Sequence, residues 1–353
     1  MAKRHLYIQG DSTNDCNLKC SHCYHNNEGN VDHIQDDNLM SLNEVKSMID
    51  DLAETAKRWE MIPRIAISGG DPLMREDHLE ILEYACKKKV ITNLLTNGTL
   101  ITPKKARELL EQKVEAIQVS LDGSKRTHNK IRRKDFAYDM AIEGIRNASK
   151  EGLNVTVAMT LMQSNKKEFE DVIQNAILAG AKKVGFKTYN PDSNLGIKDP
   201  EFINAKEIYE MVKETERLNE KYRDKINVLQ SDVLWQILEK ENEVIKTAKE
   251  QNKYLWGCSA GFRMLSILSD GTVYPCRRLP IKIGRISDGI GNLILEKKVM
   301  QNLRDLNKMR ENTLCDKVVH CRGCRAIAYA VTGDYMAKDP MCFKEYVQGS
   351  SQD

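Results

Sequence analysis

Three cysteines near the start of the chain have the spacing of a metal-cluster site. Cys16, Cys20 and Cys23 form a C-x3-C-x2-C triplet. Random placement of 10 cysteines in 353 residues would produce that spacing only on the order of 0.01 times per chain. Four thiolates close an iron-sulfur cubane, so three thiolates leave one iron open to another ligand. The triplet therefore predicts a cluster that does chemistry at its open iron.

A structural zinc site is the alternative interpretation of the triplet, with His22, His25 or His33 as the fourth ligand. Zinc sites usually pair two short Cys or His hooks across a loop, whereas these three cysteines are close neighbours in the sequence. A disulfide is less favoured, because no signal peptide or apolar segment of membrane-spanning length is visible. We therefore expect a reducing, cytoplasmic location, where clustered cysteines bind metal or do redox work.

Six further cysteines lie in the C-terminal part of the chain: Cys258, Cys276, Cys315, Cys321, Cys324 and Cys342. The segment 266–276 has the pattern of a β-hairpin with a turn at Asp270-Gly271, which would bring the first two of these cysteines together. Six thiolates are more than one cluster needs. Either one cluster is held by four cysteines and two cysteines are spare, or two clusters share the six thiolates and each keeps an iron that is open to another ligand. Zinc is again the alternative, although a C-x5-C spacing is atypical of zinc hooks.

The composition predicts a globular protein without a strong overall field. Hydrophobic residues make up 41% and charged residues 30% of the chain. The 54 basic and 51 acidic side chains nearly cancel, so neither nucleic acid nor a membrane surface is an expected partner.

Short β-rich segments alternate with helical segments through the first half, which predicts an α/β fold with a parallel sheet. The predicted strands are 6–9, 64–68, 91–95, 116–120, 154–160 and 183–187. Ser41 and Glu44 have the spacing of a helix capping box. Residues 200–250 are highly charged and helical in pattern, which suits a solvent-facing bridge between two lobes.

Glycine-marked loops follow several of these strands. Gly69-Gly70, Asn97-Gly98 and Asp122-Gly123 lie at the carboxyl ends of predicted strands or in the loops that follow them, as the cysteine triplet does. Ligands of parallel βα sheets bind at the carboxyl ends of the strands. The sequence therefore predicts that these loops and the triplet converge on one face.

In this order, the segments resemble the radical S-adenosylmethionine (SAM) enzymes, and the C-terminal part resembles the SPASM extension of that superfamily. The matching segments run from about Tyr7 to Cys342. The resemblance implies a partial (β/α)6 TIM-type barrel over 1–200, a helical bridge over 201–254, and a small α+β iron-sulfur domain over 255–353.

The resemblance also implies the cofactors and their contacts. The 4Fe-4S cluster on Cys16, Cys20 and Cys23 would bind SAM, and electron transfer would cleave SAM to methionine and a 5′-deoxyadenosyl radical. Asp71 stands where the family's GGEP loop usually has Glu, so the charge is kept on a shorter side chain. Residues implied to lie near SAM are His22, Gly69, Gly70, Asp71, Asn97, Ser120 and Arg132.

The SPASM resemblance implies one or two auxiliary iron-sulfur clusters. One would use Cys258, Cys276 and Cys324, and the other Cys315, Cys321 and Cys342. Family members often carry further cysteines at the position of Asn312 and just after the Cys258 position. Each cluster would therefore have three cysteines here and one iron open to a side chain, water or the substrate.

The predicted activity is that of a radical SAM oxidoreductase that crosslinks or oxidises a peptide, as in maturation of ribosomal peptides. The alternative substrate is a tetrapyrrole of the haem pathway, whose side chain is oxidised or decarboxylated. An iron-sulfur electron carrier or zinc-binding scaffold is the non-enzymatic alternative. Arg277, Arg278 and Arg325 are candidates to pair with substrate carboxylates or to balance the charge of the clusters.

The expected partners are a peptide or small-molecule substrate and a flavodoxin- or ferredoxin-type reductant. Only fifteen residues precede Cys16. Recognition of a leader peptide would therefore need another protein or surface.

Overall fold

The computed structural model describes residues 4–23, 38–230 and 233–349. The first half of the chain contains β1 (His5–Asp11), α1 (Leu42–Arg58), β2 (Ile62–Ser68), α2 (His78–Lys87), β3 (Ile91–Thr96), α3 (Pro103–Glu111), β4 (Ala116–Ser120), α4 (Lys125–Arg132), α5 (Ala137–Lys150), β5 (Val155–Leu161), α6 (Phe169–Leu178) and β6 (Lys183–Thr188). The second half contains α7 (Ala205–Tyr222), β7 (Asn227–Leu229), α8 (Glu243–Glu250), β8 (Met264–Ile267), β9 (Thr272–Tyr274), β10 (Gly284–Arg285), α9 (Ile290–Leu295), α10 (Lys298–Arg304), α11 (Leu306–Thr313), α12 (Arg325–Thr332) and α13 (Lys344–Gly349). The predicted α/β class and all six predicted strands are confirmed.

The described strands form one sheet in the order β10-β9-β8-β1-β2-β3-β4-β5-β6-β7. Strands β1 to β7 are parallel to their neighbours. Strand β8 also runs parallel to β1, and β9 then turns back beside β8 as the predicted hairpin. The C-terminal hairpin therefore extends the barrel sheet past β1 and does not form a sheet of its own.

The two faces of the sheet have different chemistry. On β1, Leu6 and Ile8 belong to the main apolar core, whereas the alternating Tyr7 and Gln9 do not. Successive side chains of a strand point to opposite faces, so the helices cover the apolar face and the other face carries polar side chains. Helix α1 begins at the predicted Ser41 capping box, which the structure confirms.

The segment predicted as a helical bridge holds α7 and α8 and also contributes a strand. Helix α7 buries Ile208, Met211 and Leu218 on one side, because its apolar residues recur at helical spacing beneath the charged surface pattern. Strand β7 then pairs with β6. One side of this segment is therefore part of the barrel wall. Among the described residues, no helix is both long and apolar enough to cross a membrane.

Ile8 is the position at which β1 supports both halves of the sheet. Its side chain is fully buried, and it pairs in register with Ile65 on one side and Leu265 on the other. We expect Ile8→Ala to lower the free energy of unfolding by about 2–5 kcal/mol, because it leaves a cavity in a packed core. Urea denaturation measures this change. The control Ile197→Ala, at a side chain that is 63% exposed, should change it by less than about 0.5 kcal/mol.

Candidate functional site

The three N-terminal cysteines gather just beyond the carboxyl end of β1. Cys16, Cys20 and Cys23 pack around Leu18 and Ala137 in a small apolar cluster. The pKa of the Cys16 thiol is raised to about 11, mainly by burial, and the charges of Asp71, Cys20 and Cys23 contribute to this shift. Three thiolates would repel one another in this half-buried place. A cationic cluster core is the kind of group that would allow all three to ionise together.

Gly69 and Gly70 hold the loop that leads to these cysteines. A Cβ atom on Gly69 would lie 2.2 Å from the carbonyl oxygen of Thr13, and one on Gly70 would lie 2.2 Å from that of Asp15. The Gly70 amide donates a hydrogen bond to the Thr13 oxygen (2.8 Å), and the Asp71 amide donates to the Asp15 oxygen (2.7 Å). The space left by the missing side chains is thus filled by the protein's own backbone. Their contact with SAM stays a prediction.

Asp71 joins the loop after β2 to the loop after β3. Its carboxylate accepts hydrogen bonds from the Thr96 hydroxyl (2.7 Å), the Asn97 amide (2.9 Å) and the Leu73 amide (3.1 Å). The side chain is fully buried, and burial raises its pKa even though these donors oppose the shift. Asp71 therefore acts as a positioning residue for the neighbouring loop, and a direct SAM contact stays a prediction.

Asn97 reaches from the loop after β3 to the cysteine triplet. Its amide nitrogen lies 3.8 Å from the Cys16 sulfur and donates to the Asn17 side chain at 2.9 Å. Its amide oxygen accepts from the Thr99 backbone at 2.9 Å. The predicted convergence of the triplet with this loop is confirmed.

A buried ion pair lies on the other side of the triplet. Arg132 places Nη2 2.6 Å and Nε 2.7 Å from one carboxylate oxygen of Asp122, and its Nη1 lies 3.5 Å from the Cys20 sulfur. Burial acts to raise the pKa of Asp122, but the charges of Arg132 and His22 hold it well below its usual range. The pair orients a cation toward the cluster ligands.

Asp122 is the functional residue that sequence reasoning missed. In the sequence, the Asp122-Gly123 pair belongs with the glycine-marked loops, but a different sequence feature indicates its role. Asp122 follows strand β4, and the basic residues of the next helix, α4, include Arg132. Only the geometry of the helix shows that the Arg132 side chain contacts the Asp122 carboxylate.

His22 and Ser120 complete the predicted contacts. The His22 side chain is 8% exposed and lies 3.5 Å from Asp122. Both of its ring nitrogens are buried without a hydrogen-bond partner among the described residues. Ser120 ends β4 and is half-buried on its polar face. The unsatisfied imidazole beside three thiols fits a site that receives a further group. His25 and His33, the other candidate zinc ligands, lie outside the described residues.

Cys258, Cys276 and Cys324 lie around the end of the C-terminal hairpin. Burial raises the pKa of Cys276, and the charge of Cys258 also raises it. The two cysteines therefore interact electrostatically. Arg278 donates to the Cys324 sulfur at 3.2 Å and to the carbonyl of Thr188, at the end of β6, at 2.8 Å. This arginine therefore connects the hairpin, the third cysteine and the barrel.

Cys315, Cys321 and Cys342 line one cavity of about 240 Å³. The pKa of Cys321 is raised to about 12, mainly by burial, and the charges of Cys342 and Cys315 contribute to this shift. The ligation of two clusters by these two triplets stays a prediction. In the described part of the chain no three His, Cys, Asp or Glu side chains converge closely enough to hold a single metal ion. A cubane does not require such convergence, because each thiolate binds a different iron.

Two of the three arginines expected to meet substrate carboxylates are engaged elsewhere. Arg277 is 3% exposed and pairs with the buried Asp11, with its Nε 2.5 Å from a carboxylate oxygen. Arg325 is 2% exposed, and its Nη1 donates to the carbonyls of Ala337 (2.7 Å) and Tyr335 (3.0 Å). Of the two roles raised for these arginines, a substrate contact is therefore disfavoured for Arg277 and Arg325, because each is buried on protein acceptors. Arg278 is the remaining candidate.

Two family descriptions match the chain. The radical SAM superfamily matches residues 11–176, and SPASM, described as an iron-sulfur cluster-binding domain, matches residues 258–325. Both matched segments contain cysteines of the triplets described above. The first contains Cys16, Cys20 and Cys23, and the second contains Cys258, Cys276, Cys315, Cys321 and Cys324.

Similar proteins of known activity cover most of the chain. An AdoMet-dependent heme synthase of Methanosarcina barkeri is 29% identical over 350 residues, which is 95% of both chains. That of Nitratidesulfovibrio vulgaris is 26% identical over 95% of this chain and 91% of its own. The subtilosin biosynthesis protein AlbA of Bacillus subtilis is 26% identical over 90% of this chain and 67% of its own.

Solved structures share the fold. Streptococcus suis SuiB bound to S-adenosylmethionine has a TM-score of 0.74 at 14% identity, covering 96% of this chain and 77% of that one. The anSMEcpe enzyme with bound AdoMet has a TM-score of 0.74 at 18% identity, covering 96% and 95%. The predicted TIM-type radical SAM architecture is confirmed by these similarities.

The close approach at Gly70 generates a testable expectation. Gly70→Ala would push the loop before Cys16 away from β2, because the added methyl overlaps two backbone oxygens, at 2.2 and 2.4 Å. We expect iron in the anaerobically reconstituted protein to fall by about four per chain, the content of one cubane. The matched control is Gly291→Ala in α9, where the new methyl meets no atom closer than 3.8 Å. Unchanged iron in Gly70→Ala would contradict this account.

The Asp122–Arg132 pair generates another expectation. Arg132→Gln leaves a buried carboxylate without its cation, so we expect the free energy of unfolding to fall by about 3–5 kcal/mol. Urea denaturation measures the loss. The double variant Asp122→Asn/Arg132→Gln should recover part of it, because no charge is then left unpaired. Arg217→Gln is the control, because Arg217 forms an exposed ion pair with Glu214. This variant should change the free energy of unfolding only slightly.

The same pair predicts a pH dependence. Because the pKa of Asp122 is lowered from 3.8 in the folded chain, the contribution of the pair is present above that value and is lost as the pH falls. The stability gap between wild type and Arg132→Gln should therefore narrow below about pH 4. A gap that stays constant down to pH 2 would show that the ionised carboxylate is not the cause.

Proposed function

Since this chain belongs to the radical SAM superfamily and carries a C-terminal SPASM domain, we propose that it is an oxidoreductase that oxidatively decarboxylates a carboxyalkyl side chain of a tetrapyrrole. Its radical SAM domain binds a 4Fe-4S cluster and SAM, and its SPASM domain binds auxiliary iron-sulfur clusters. The ligands proposed for these clusters are the three cysteine triplets described above.

The extent of similarity to the heme synthases carries this proposal. Two such relatives align with 95% of this chain and with 91–95% of their own lengths. The relative named for bacteriocin biosynthesis aligns with only 67% of its own length. The tetrapyrrole alternative raised by the sequence is therefore favoured over the peptide substrate.

The polar face of the barrel sheet supports a substrate site. On β5, Val155, Val157 and Met159 belong to the apolar core, while Thr156 and Thr160 on the opposite face are only half-buried. Strands of fully covered parallel sheets are usually apolar on both faces. The alternation seen here indicates a barrel interior that is not filled by its own side chains and that leaves room for a polar ligand.

Cations on that face suit an anionic substrate. Phe186 on β6 packs edge-on against Phe169 of α6 at 5.3 Å, so the adjacent Lys187 points to the opposite, interior face. Lys187 is exposed and lies one residue from the carboxyl end of β6. Arg278 contacts the last residue of the same strand. Two positive side chains thus lie at the strand edge that also carries the first cysteine triplet.

In such a reaction, some residues would bind the substrate and others would position the cluster ligands. When bound, SAM and its cluster supply a primary-carbon radical able to remove a hydrogen atom from an unactivated C–H bond. Lys187 and Arg278 would hold substrate carboxylates by charge-assisted hydrogen bonds. Arg132 and Asn97 would keep the Cys20 and Cys16 sulfurs in place. Loss of one hydrogen atom, one electron and carbon dioxide from a propionate side chain leaves a vinyl group, and the electron needs an acceptor near the substrate.

The proposal is tested with reduced, anaerobically reconstituted protein, SAM and an iron tetrapyrrole bearing propionate groups. We expect 5′-deoxyadenosine, methionine and a product lighter by one carbon dioxide and two hydrogen atoms per side chain, measured by mass spectrometry. Cys16→Ala should abolish all three. SAM cleavage coupled only to a peptide substrate, with the tetrapyrrole unchanged, would overturn the proposal in favour of peptide modification.

Lys187 provides a test of substrate recognition. We expect Lys187→Gln to raise KM for the tetrapyrrole about tenfold, the effect of losing one charge-assisted contact of about 1.4 kcal/mol. Lys183→Gln is the matched control, because Lys183 starts the same strand on the same face but at its opposite end. Equal effects of both variants would show that only the general charge of the face matters.

The expected flavodoxin- or ferredoxin-type reductant stays a prediction. So does a separate leader-binding protein, which would be needed only if the substrate were a leader-bearing peptide.

A further inference from the structure

Arg322 is a buried cation with unsatisfied donors in the C-terminal part of the chain. Its side chain is 3% exposed, and its Nη1 donates to the carbonyls of Leu303 (2.7 Å) and Ala260 (3.4 Å). Its Nε and Nη2 are buried and have no hydrogen-bond partner among the described residues. A guanidinium keeps its charge in proteins, so these donors need an acceptor.

No carboxylate of the described residues lies within ion-pair distance of Arg322, although Asp339 and Glu345 line the same cavity. Arg132 and Arg277 are buried beside Asp122 and Asp11, but Arg322 has no such ion pair within the described ranges. Two aromatic rings lie beside it instead, with the guanidinium carbon 4.8 Å from the centre of the Tyr254 ring and 4.4 Å from that of Phe262. Ring faces attract a cation, yet they do not satisfy its remaining N–H groups.

Arg322 lines the cavity of one C-terminal cysteine triplet and lies near Cys258 of the other, because its neighbour Tyr254 donates to the Cys258 carbonyl at 3.4 Å. It follows Cys321 in the sequence and lines the same cavity as Cys315, Cys321 and Cys342. Burial lowers its pKa, while Cys258, Tyr254 and Cys321 act in the opposite direction. Cys258 and Cys321 belong to different triplets, so the guanidinium is within electrostatic reach of both.

We propose that the Arg322 guanidinium is the shared counter-charge of the two auxiliary clusters and raises their reduction potentials. Clusters on thiolate ligands are anionic, and reduction adds a further negative charge. A buried cation therefore favours the reduced form, as do hydrogen bonds donated to cluster sulfur. Arg322 is then a positioning and tuning residue that would help these clusters accept an electron. The proposal uses the six cysteines as ligands but does not depend on which substrate is oxidised.

The test uses the full chain in a Cys16→Ala/Cys20→Ala/Cys23→Ala background, so that only auxiliary clusters contribute. The reconstituted protein is titrated potentiometrically and followed by electron paramagnetic resonance, with iron measured in parallel. We expect Arg322→Gln to lower the ratio of reduced to oxidised cluster at least tenfold at a fixed potential, which is about 59 mV for one electron. Arg322→Lys, which keeps the charge, should remain near the parent protein.

Arg304→Gln is the matched control, because Arg304 also donates to backbone carbonyls, including that of Gly261 at 2.7 Å, but is not among the residues that line the cavity of Cys315, Cys321 and Cys342. Unchanged potentials in Arg322→Gln, or an equal shift in Arg304→Gln, would overturn the proposal. If Arg322→Gln fails to retain iron, retention by Arg322→Lys supports the charge, and equal loss by both assigns the residue to packing and overturns it. Failure of the parent protein to bind about eight irons would instead refute the ligand assignment.

Discussion

One buried carboxylate, that of Asp11, holds together the parts of the site that come from distant stretches of chain. It lies at the end of β1. It accepts a hydrogen bond at 2.7 Å from the hydroxyl of Ser68, the last residue of β2. It also pairs with Arg277, the residue after Cys276. Separation of a buried ion pair leaves a charge without compensation, which typically costs about 3–5 kcal/mol. The loop to Cys16, the glycine loop and the auxiliary hairpin are thus kept in register by one side chain.

This junction explains why the C-terminal hairpin is part of the barrel sheet. Strand β8 pairs with β1 in parallel, so the carboxyl ends of β1, β2 and β8 lie at one edge. Arg278 extends the connection to the far side of the barrel through the carbonyl of Thr188. Arg277 and Arg278, the two residues after Cys276, therefore connect the hairpin to the carboxyl ends of β1 and β6. An electron acceptor near the substrate is what an oxidative decarboxylation requires.

Buried charges are used in two different ways in this molecule. Asp71 and the Asp122–Arg132 pair are satisfied within the protein, and they orient loops that flank the first triplet. Arg322 is satisfied only in part. Because an isolated buried charge is costly, the first kind stabilises the protein before any cofactor binds, and the second kind becomes favourable when an anionic group arrives.

Much of the fold, and the convergence of the glycine loops on the first cysteine triplet, could be predicted from sequence, because both depend on local spacing. The strand and helix pattern, the capping box at Ser41 and the cysteine spacings each lie within short segments. The roles of Asp122, Arg277 and Arg325 could not be predicted in the same way. Their partners lie far away in the chain or depend on how a helix turns back, so nothing in the neighbouring residues distinguishes a structural arginine from one that faces a substrate.

The sequence by itself determined the chemistry that is available: a triplet of cysteines one thiolate short of closing a cubane, six further cysteines in the C-terminal part, and glycines where backbones must approach closely. Only the tertiary structure decided which groups meet. It filled the space beside Gly70 with the loop before Cys16, engaged Arg277 with Asp11 and placed Arg322 at the cavity lined by Cys315, Cys321 and Cys342. The physical reason is that spacing is a property of one segment, whereas burial and charge pairing arise only when several segments exclude water together.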